Sequence, residues 1–522
     1  MKPKNIVVVG GGTAGWLTAL YARSIFDDFN ITLIQSSSID ILGAGEGSQP
    51  KLCSFLEYLN IDVQDVIKKT NATFKHSVKF TNWDGQQGSY HHYFERFNST
   101  FDRHLFDRHQ SSYYMPPLPS SALFNIVDKN QHFDYITKEV LDTYKVPFLP
   151  QDQYTYGENS TNDFNYYMNY SIHFDARLFA EYLENIGKNR HINVIDSIVK
   201  DVELNEKGFV SNIILEDGSK VATDFVFDCT GFSKLIIGKY LKSKWKSFSE
   251  FLPMKKAIPF FIDIDKNFIP AYTEAIAMKY GWMWKIPLQN RYGCGYVFDS
   301  DYINEEEAKK EIEDYLGYKP VYPRDSKGAF SFDPGCFEEI WIKNCFASGL
   351  SAQFVEPIEA TSIAQTIEML RLLMINKYDI FNDNQDQRDW INKQNMKEAV
   401  EIMTFLHLHY HTIRNDSSFW KEFKDKNKVP DELKLPLSAL KNGILSRKHT
   451  GEMFGPEGYY SIAIGNKVLG EEKIRELYKN YNFGFHLLQY YTQIRTQENM
   501  LNSFIYHSDL LRYIGALEEK EK

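Results

Sequence analysis

Gly10, Gly12 and Gly15 form a G-x-G-x-x-G pattern directly after a β-branched run, Asn5 to Val9. Glycines at this spacing permit a tight turn and let backbone N–H groups approach a pyrophosphate at a helix start. Thr13 and Ala14 lie inside that turn. An acidic residue about 20 residues further on usually holds a ribose hydroxyl. Here that position is Gln35, which hydrogen-bonds but carries no charge. A second small-residue loop, Gly43-Ala44-Gly45-Glu46-Gly47-Ser48, follows soon after, so Gly45 and Glu46 join the candidate binding positions. This further loop favours FAD over NAD, and no second fingerprint between a strand and a helix offers a separate nicotinamide site. The bland alternative, an ordinary glycine-rich turn, does not need the flanking elements that are present.

Three further segments carry chemistry-bearing residue types. Lys75, in Ala72-Thr73-Phe74-Lys75-His76-Ser77-Val78-Lys79, shares a face with Ser77 and Lys79 by strand alternation. A lone lysine there is more often solvated than catalytic. Trp282 and Trp284, in Gly281-Trp282-Met283-Trp284-Lys285-Ile286-Pro287, project both rings to one side of a strand. Core packing is the ordinary reading for such a pair. Glu359, in Phe354-Val355-Glu356-Pro357-Ile358-Glu359-Ala360-Thr361-Ser362-Ile363, enters a helix over Thr361 to Leu373, and a helix start favours anions. Taken alone it is a helix-entry carboxylate.

The elements that must position these residues follow from periodicity. Asn5 to Val9 reads as a buried strand, Ala14 to Phe26 as a helix and Ile31 to Gln35 as a second strand. His173 to Gly187 is an amphipathic helix. Strands follow around Asn193–Val202, Phe209–Leu215 and Phe225–Cys229, with turns at Lys207-Gly208 and Asp217-Gly218. Beyond about residue 385 the chain becomes polar, charged and helical. The 522 residues are 43% hydrophobic and 25% charged, enough for a full core. A net charge of −10 argues against nucleic-acid binding, and no apolar run is long enough to span a bilayer. The five cysteines contain no C-x-x-C pair, so neither a metal site nor a disulfide framework is expected, and a reducing cytoplasm fits. The 8 Trp, 33 Tyr and 38 Phe are an aromatic surplus that is ordinarily core, and that also suits the lining of a cavity for a flat organic ligand.

Together these segments resemble the flavin-dependent halogenases, in particular the tryptophan halogenase branch. The resemblance rests on VVVGGGTAGW (7–16), LGAGEG (42–47), FKHSVKFTNW (74–83), HFDARL (173–178), DCTGF (228–232), AIAMKYGWMWKIP (275–287) and FVEPIEATSI (354–363). Flavin hydroxylases share the fingerprint but not W-x-W-x-I-P. The resemblance implies that reduced FAD and O2 oxidise a halide to hypohalous acid, which passes to a lysine matching Lys75. Glu359 matches the glutamate that stabilises the cationic ring or takes its proton. Backbone amides at Thr361 and Ser362 match the halide site. Gly12, Thr13, Ala14, Val199, Leu350 and Ile363 match flavin contacts. Trp282 and Trp284 match residues that shield the flavin, and His92 and Phe94 fall where the family stacks its indole. Glu-Ala-Thr-Ser replaces the family's usual Glu-Ser-Thr-Gly, which bears on halide preference.

The expected fold is therefore α/β: a glutathione-reductase-like, Rossmann-type FAD module with a largely helical substrate module. Residues 1–385 form the first, with an insertion at about 85–165 reaching the substrate site, and residues 386–522 cover the substrate. The expected activity is FADH2-dependent halogenation of an indole- or phenol-like ring. An aromatic hydroxylase and a non-catalytic flavin or aromatic-ligand binder remain as alternatives. A separate NAD(P)H-dependent flavin reductase is the expected partner, and a homo-oligomer is allowed. Gly451, Gly455 and Pro456 should interrupt any helix before residue 456, where tryptophan-specific members hold the amino-acid zwitterion.

Overall fold

The run Asn5–Val9 is a strand with four of its five residues buried, and it lies at the heart of a six-stranded sheet. The order is Asn193–Asp196, Asn30–Gln35, Asn5–Val9, Phe225–Asp228, Cys345–Ala347 and Trp341–Ile342. The first five pair in parallel, with Val7 between Thr32 and Val226. Two buried faces explain the near-continuous Val/Ile/Phe runs of these strands. The structure, a computed structural model, describes residues 4–39, 45–94, 140–150, 159–160, 164–166, 169–323, 328–375, 377, 379–426, 428–445, 448–479 and 504–518. Most of the 85–165 insertion and residues 42–44 of the second glycine loop lie outside the described residues.

Two units emerge, each assembled from three stretches. The first comprises Met1–Ala72, Phe174–Lys255 and Ser331–Met403; the second comprises Thr73–His173, Lys256–Phe330 and Thr404–Lys522. The expected boundary at 385/386 is thereby displaced. Gln385 opens a 25-residue helix, Gln385–His409, and the first unit continues to Met403. The change to polar composition there marks the exposed face of one helix, not a change of unit.

In the first unit the helix Thr13–Ile25 follows the glycine turn, within a residue of its expected limits. Asp175 caps the helix Ala176–Asn189, its carboxylate accepting from Arg177 N at 3.0 Å and Leu178 N at 3.2 Å. The single strand expected over 193–202 is two strands. Asn193–Asp196 joins the parallel sheet, whereas Val199–Leu204 pairs with Val210–Leu215 in a separate antiparallel sheet completed by Lys220–Ala222. Ser197 N bonds Gln35 O at the break, so the chain leaves one sheet for the other there.

The second unit is not simply helical. Six strands of a seven-stranded sheet lie side by side in the order Lys256–Ile262, Tyr292–Phe298, Gly281–Pro287, Tyr272–Ala277, Ser77–Thr81 and Ser89–Tyr93, and the short strand Phe330–Ser331 adjoins the first. Ile258, Phe260, Met283, Tyr296 and Phe298 pack on Ala308 and Ile312 of the helix Glu305–Leu316. Residues of the 386–522 stretch that belong to this unit do supply helices, including Ser418–Lys426, Asp431–Lys441 and Pro456–Gly465. Many of the aromatic residues are consumed here: Trp83 meets His409, Tyr410 and Trp420 edge to face. Among the described residues no helix is long and apolar enough to cross a membrane.

Candidate active site

The glycine turn has the geometry that a dinucleotide requires. Gly10 has φ +124°, and a Cβ there would sit 2.1 Å from Cys229 O. A Cβ on Gly15 would lie 1.9 Å from Gly10 O, whereas among the described residues one on Gly12 would meet nothing within 4 Å. The turn is thus closed against the protein and open at Gly12. Gly12 caps the helix Thr13–Ile25 without a side-chain hydrogen bond, and the first turn holds no acid. Its amides and dipole favour an anion. Ala14 packs directly against Gly349, where a Cβ would fall 2.5 Å from its own, which brings the short 3-10 turn Gly349–Ser351 and Leu350 to the fingerprint. Glu46 accepts a hydrogen bond from Thr13, while burial pushes its carboxyl up to about 7. These residues fit a bound FAD. Val199 opens its antiparallel strand and Ile363 lies in the first turn of the helix Ser362–Ile375; both are half-buried and both belong to the same unit.

Glu359 ends a 3-10 turn, Pro357–Glu359, with its side chain buried. Ala360 follows in the left-handed region at φ +53°, ψ 44°, and Ser362 then starts the helix. Ser362 is not among the positive-φ residues, so replacing the family's glycine costs no backbone strain. Gln49 Nε2 donates to Glu359 O at 3.0 Å, tying the segment after Glu46 to this turn. Among the described residues the buried Thr361 hydroxyl has no hydrogen-bond partner, nor has the Gln365 side-chain Nε2 one helical turn on. Unsatisfied donors beside a helix N-terminus suit a small anion.

Lys75 has no solvent exposure and is among the largest fully buried side chains. It closes the strand Thr73–Lys75, opposite Ser171 on Ser171–Phe174. Ser77–Thr81 belongs to the large sheet instead, so the expected common face of Lys75, Ser77 and Lys79 is broken at His76. His76 N donates to Ala271 O at 2.8 Å at this junction. Lys79 keeps only 16% side-chain exposure and is paired with Asp142 at 2.7 Å. The Lys75 amine lies 5.0 Å from the centre of the Phe94 ring. His92, by contrast, points into an aromatic cluster with Phe405 and Phe454, pressed by Gly458.

Three buried imidazoles here, His76, His173 and His507, are held neutral. Burial and the positive charge of Lys75 hold His173 well below its ordinary value. The Thr73 hydroxyl donates to Pro287 O at 2.7 Å, so His173 Nδ1–H must donate to Thr73 Oγ1 at 3.0 Å, and its Nε2 accepts from Thr273 at 2.9 Å. His507 Nε2 accepts from Phe74 N at 3.1 Å, and burial lowers its pKa to about 4. Burial takes His76 down to about 3.

Trp282 and Trp284 do share a strand, with ring centres 6.3 Å apart. Trp282 is 1% exposed and is core; Trp284 is half-buried and lies across Gly295 of the neighbouring strand. The FAD and halide candidates and Glu359 all fall in the first unit, and Lys75, His92, Phe94 and the tryptophans in the second. Sequence reasoning overlooked Gln49, Glu184, Asp228 and His173. Asp228 is fully buried and accepts from Thr230, Ile236 N and Ile237 N, which folds the DCTGF loop. The DCTGF motif marked the loop, but not the part Asp228 plays in folding it.

Comparison with known proteins decides the family. The tryptophan halogenase family profile matches residues 5–480. The chain belongs to the tryptophan halogenase family. It is 28% identical over 499 residues to tryptophan 6-halogenase SttH of Streptomyces toxytricini, covering 90% of both chains. It is 27% identical over 508 residues to tryptophan 7-halogenase RebH of Lentzea aerocolonigenes, covering 92% of this chain and 88% of the other. The crystal structure of the Streptomyces toxytricini enzyme superposes with a TM-score of 0.84 at 25% identity, over 99% of this chain and 100% of that one. A flavin-dependent halogenase from Xanthomonas campestris gives 0.79 at 25% identity, over 98% of both chains. The protein is accordingly a flavin-dependent halogenase, with the expected Rossmann-type α/β fold, and the hydroxylase alternative is disfavoured.

Proposed function

We propose that the enzyme takes FADH2, O2 and a halide, and places the halogen on an uncharged, electron-rich indole- or phenol-like ring. The observation that carries this reading is Lys75, an amine with no solvent exposure beside an aromatic ring and neutral imidazoles. Bound FADH2, with O2, supplies the oxidising equivalents that turn halide into hypohalous acid. Gly10, Gly12, Thr13, Ala14, Gly15, Gln35, Gly45, Glu46, Val199, Leu350 and Ile363 are assigned to holding it. Thr361 and Ser362 hold the halide at the helix start, where positive potential offsets its desolvation. Lys75 Nζ hydrogen-bonds hypohalous acid or exchanges a hydrogen for its halogen, releasing water. The ring carbon then takes the halogen, and the Glu359 carboxylate stabilises the cationic ring or accepts its displaced proton.

Phe94, beside Lys75, is assigned to the substrate ring, and Trp284 with Trp282 to keeping organic molecules from the flavin. His92 is assigned to packing behind the substrate. The uncharged substrate is supported by the chain before Pro456: residues 448–455 are turns and bends, and Gly455 caps a helix that starts only at Pro456. A zwitterion buried without a polar clamp is costly. A separate NAD(P)H-dependent flavin reductase supplies FADH2, since no second dinucleotide fingerprint is present. Robust turnover with NAD(P)H and FAD alone, reductase contamination excluded, would contradict that partner. Competing chloride, bromide and iodide in one assay tests the halide, for which the altered 360 and 362 positions favour bromide or iodide.

A further inference from the structure

Gln35 ends its strand where an acid ordinarily receives a ribose hydroxyl of the dinucleotide, and its side chain has a defined partner. Gln35 Nε2 donates to Glu184 Oε2 at 2.9 Å, and Glu184 lies on the helix Ala176–Asn189. The other end of the same amide lies over the fingerprint: a Cβ on Gly11 would be 2.3 Å from Gln35 Oε1. Glu184 keeps 21% side-chain exposure and pairs through Oε1 with Lys188 at 2.7 Å. Resting on the FAD reading, we propose that Glu184 is the ribose-binding carboxylate of this enzyme, with Gln35 as the residue that positions it. The acid has moved from the strand end to the neighbouring helix, one hydrogen bond away.

The chemistry of the pair supports the assignment. A carboxylate offers about four lone-pair positions, and Gln35 and Lys188 occupy one each. The remaining positions accept from hydroxyl donors, and a charged acceptor binds them about twice as strongly as a neutral amide. Gln35 spends its donor on Glu184 and presents its carbonyl to the glycine turn. A bare glutamine at this position would hold a ribose only through neutral hydrogen bonds. Glu184 restores the charge, and Lys188 tempers it.

Titration of the flavin-free protein with oxidised FAD, and with FAD lacking the adenosine 2′-hydroxyl or 3′-hydroxyl, tests this by flavin fluorescence. The unaltered protein should prefer FAD over at least one analogue by about 10-fold, the scale of a hydrogen bond to a charged group. Glu184→Gln should weaken FAD binding by about the same factor and lose most of that preference. Gln35→Leu, which frees Glu184 from its partner, should lose part of it, and Gln35→Glu in the Glu184→Gln background should restore it. A merely structural Glu184 would weaken all ligands alike and leave the preference intact. That result, or no preference in the unaltered protein, overturns the proposal while FAD binding stands. Failure of the unaltered protein to bind FAD at all overturns the FAD reading itself.

Discussion

Lys75 Nζ lies 5.0 Å from the centre of the Phe94 ring, on a side chain with no solvent exposure. Lys79, four residues on, is bound to Asp142 at 2.7 Å. The two lysines therefore separate experimentally. Lys75→Met should abolish halogenated product while FADH2 oxidation continues, because the residues proposed to hold the flavin lie elsewhere in the chain. Lys79→Met should change product rate by less than about threefold, since the Lys79 amine is already engaged by Asp142. Product by mass spectrometry against oxygen consumption checks both. Normal turnover by the Lys75 variant would return that residue to a packing role.

Glu359 is expected to assist rather than to initiate. Glu359→Gln keeps the shape and the buried turn but removes the charge, so turnover should fall by about 10²-fold, the scale of one general base or electrostatic group. Halide and FAD binding should remain within about twofold, which separates a catalytic loss from a folding loss. Unchanged turnover would remove Glu359 from the mechanism.

Glu46 gives the flavin-free protein a pH signature. Burial, opposed by a hydrogen bond from Thr13, raises its carboxyl from 4.5 to about 7. Between these values the folded state holds a proton that the unfolded chain has released, so stability falls as pH rises through the window. Urea unfolding of the flavin-free protein at pH 4.5 and pH 7.5 should show less stability at the higher value from this group. Glu46→Gln should remove that part of the slope, and an unaltered slope would contradict the assignment.

Gly295 seats Trp284. A Cβ on Gly295 would lie 2.0 Å from the indole ring, too close for any packing adjustment short of moving it. Gly295→Ala should displace Trp284 and change its fluorescence, at a stability cost of about 1–3 kcal/mol from overpacking. If Trp284 shields the flavin, the variant should also form more hydroxylated or uncoupled product. A variant with parental fluorescence and stability would show that the indole has room to move.

The glycine turn, the first two strands and the helix between them are readable because period and turn chemistry agree there. The strand over 193–202 is not, since residues on either side of Ser197 have similar β propensity and only the parallel pairing to Gln35 separates them. Lys75 shows the same limit at the site. Alternation groups it with Lys79, but the chain changes sheets at His76, and no local pattern records a change of partner strand. Glu184 was invisible for a different reason: it is an ordinary polar residue on an amphipathic helix until Gln35 reaches it across 149 positions.

The most direct test is halogenation itself. Purified protein is supplied with FAD, a separate NADH-driven flavin reductase, air, bromide and indole, and the products are read by mass spectrometry. The account predicts ring-brominated indole with its paired isotope peaks, absent without FAD or with Lys75→Met, and faster than bromination of free tryptophan. Hydroxylated indole in its place, or retained flavin with no product of either kind, would contradict it.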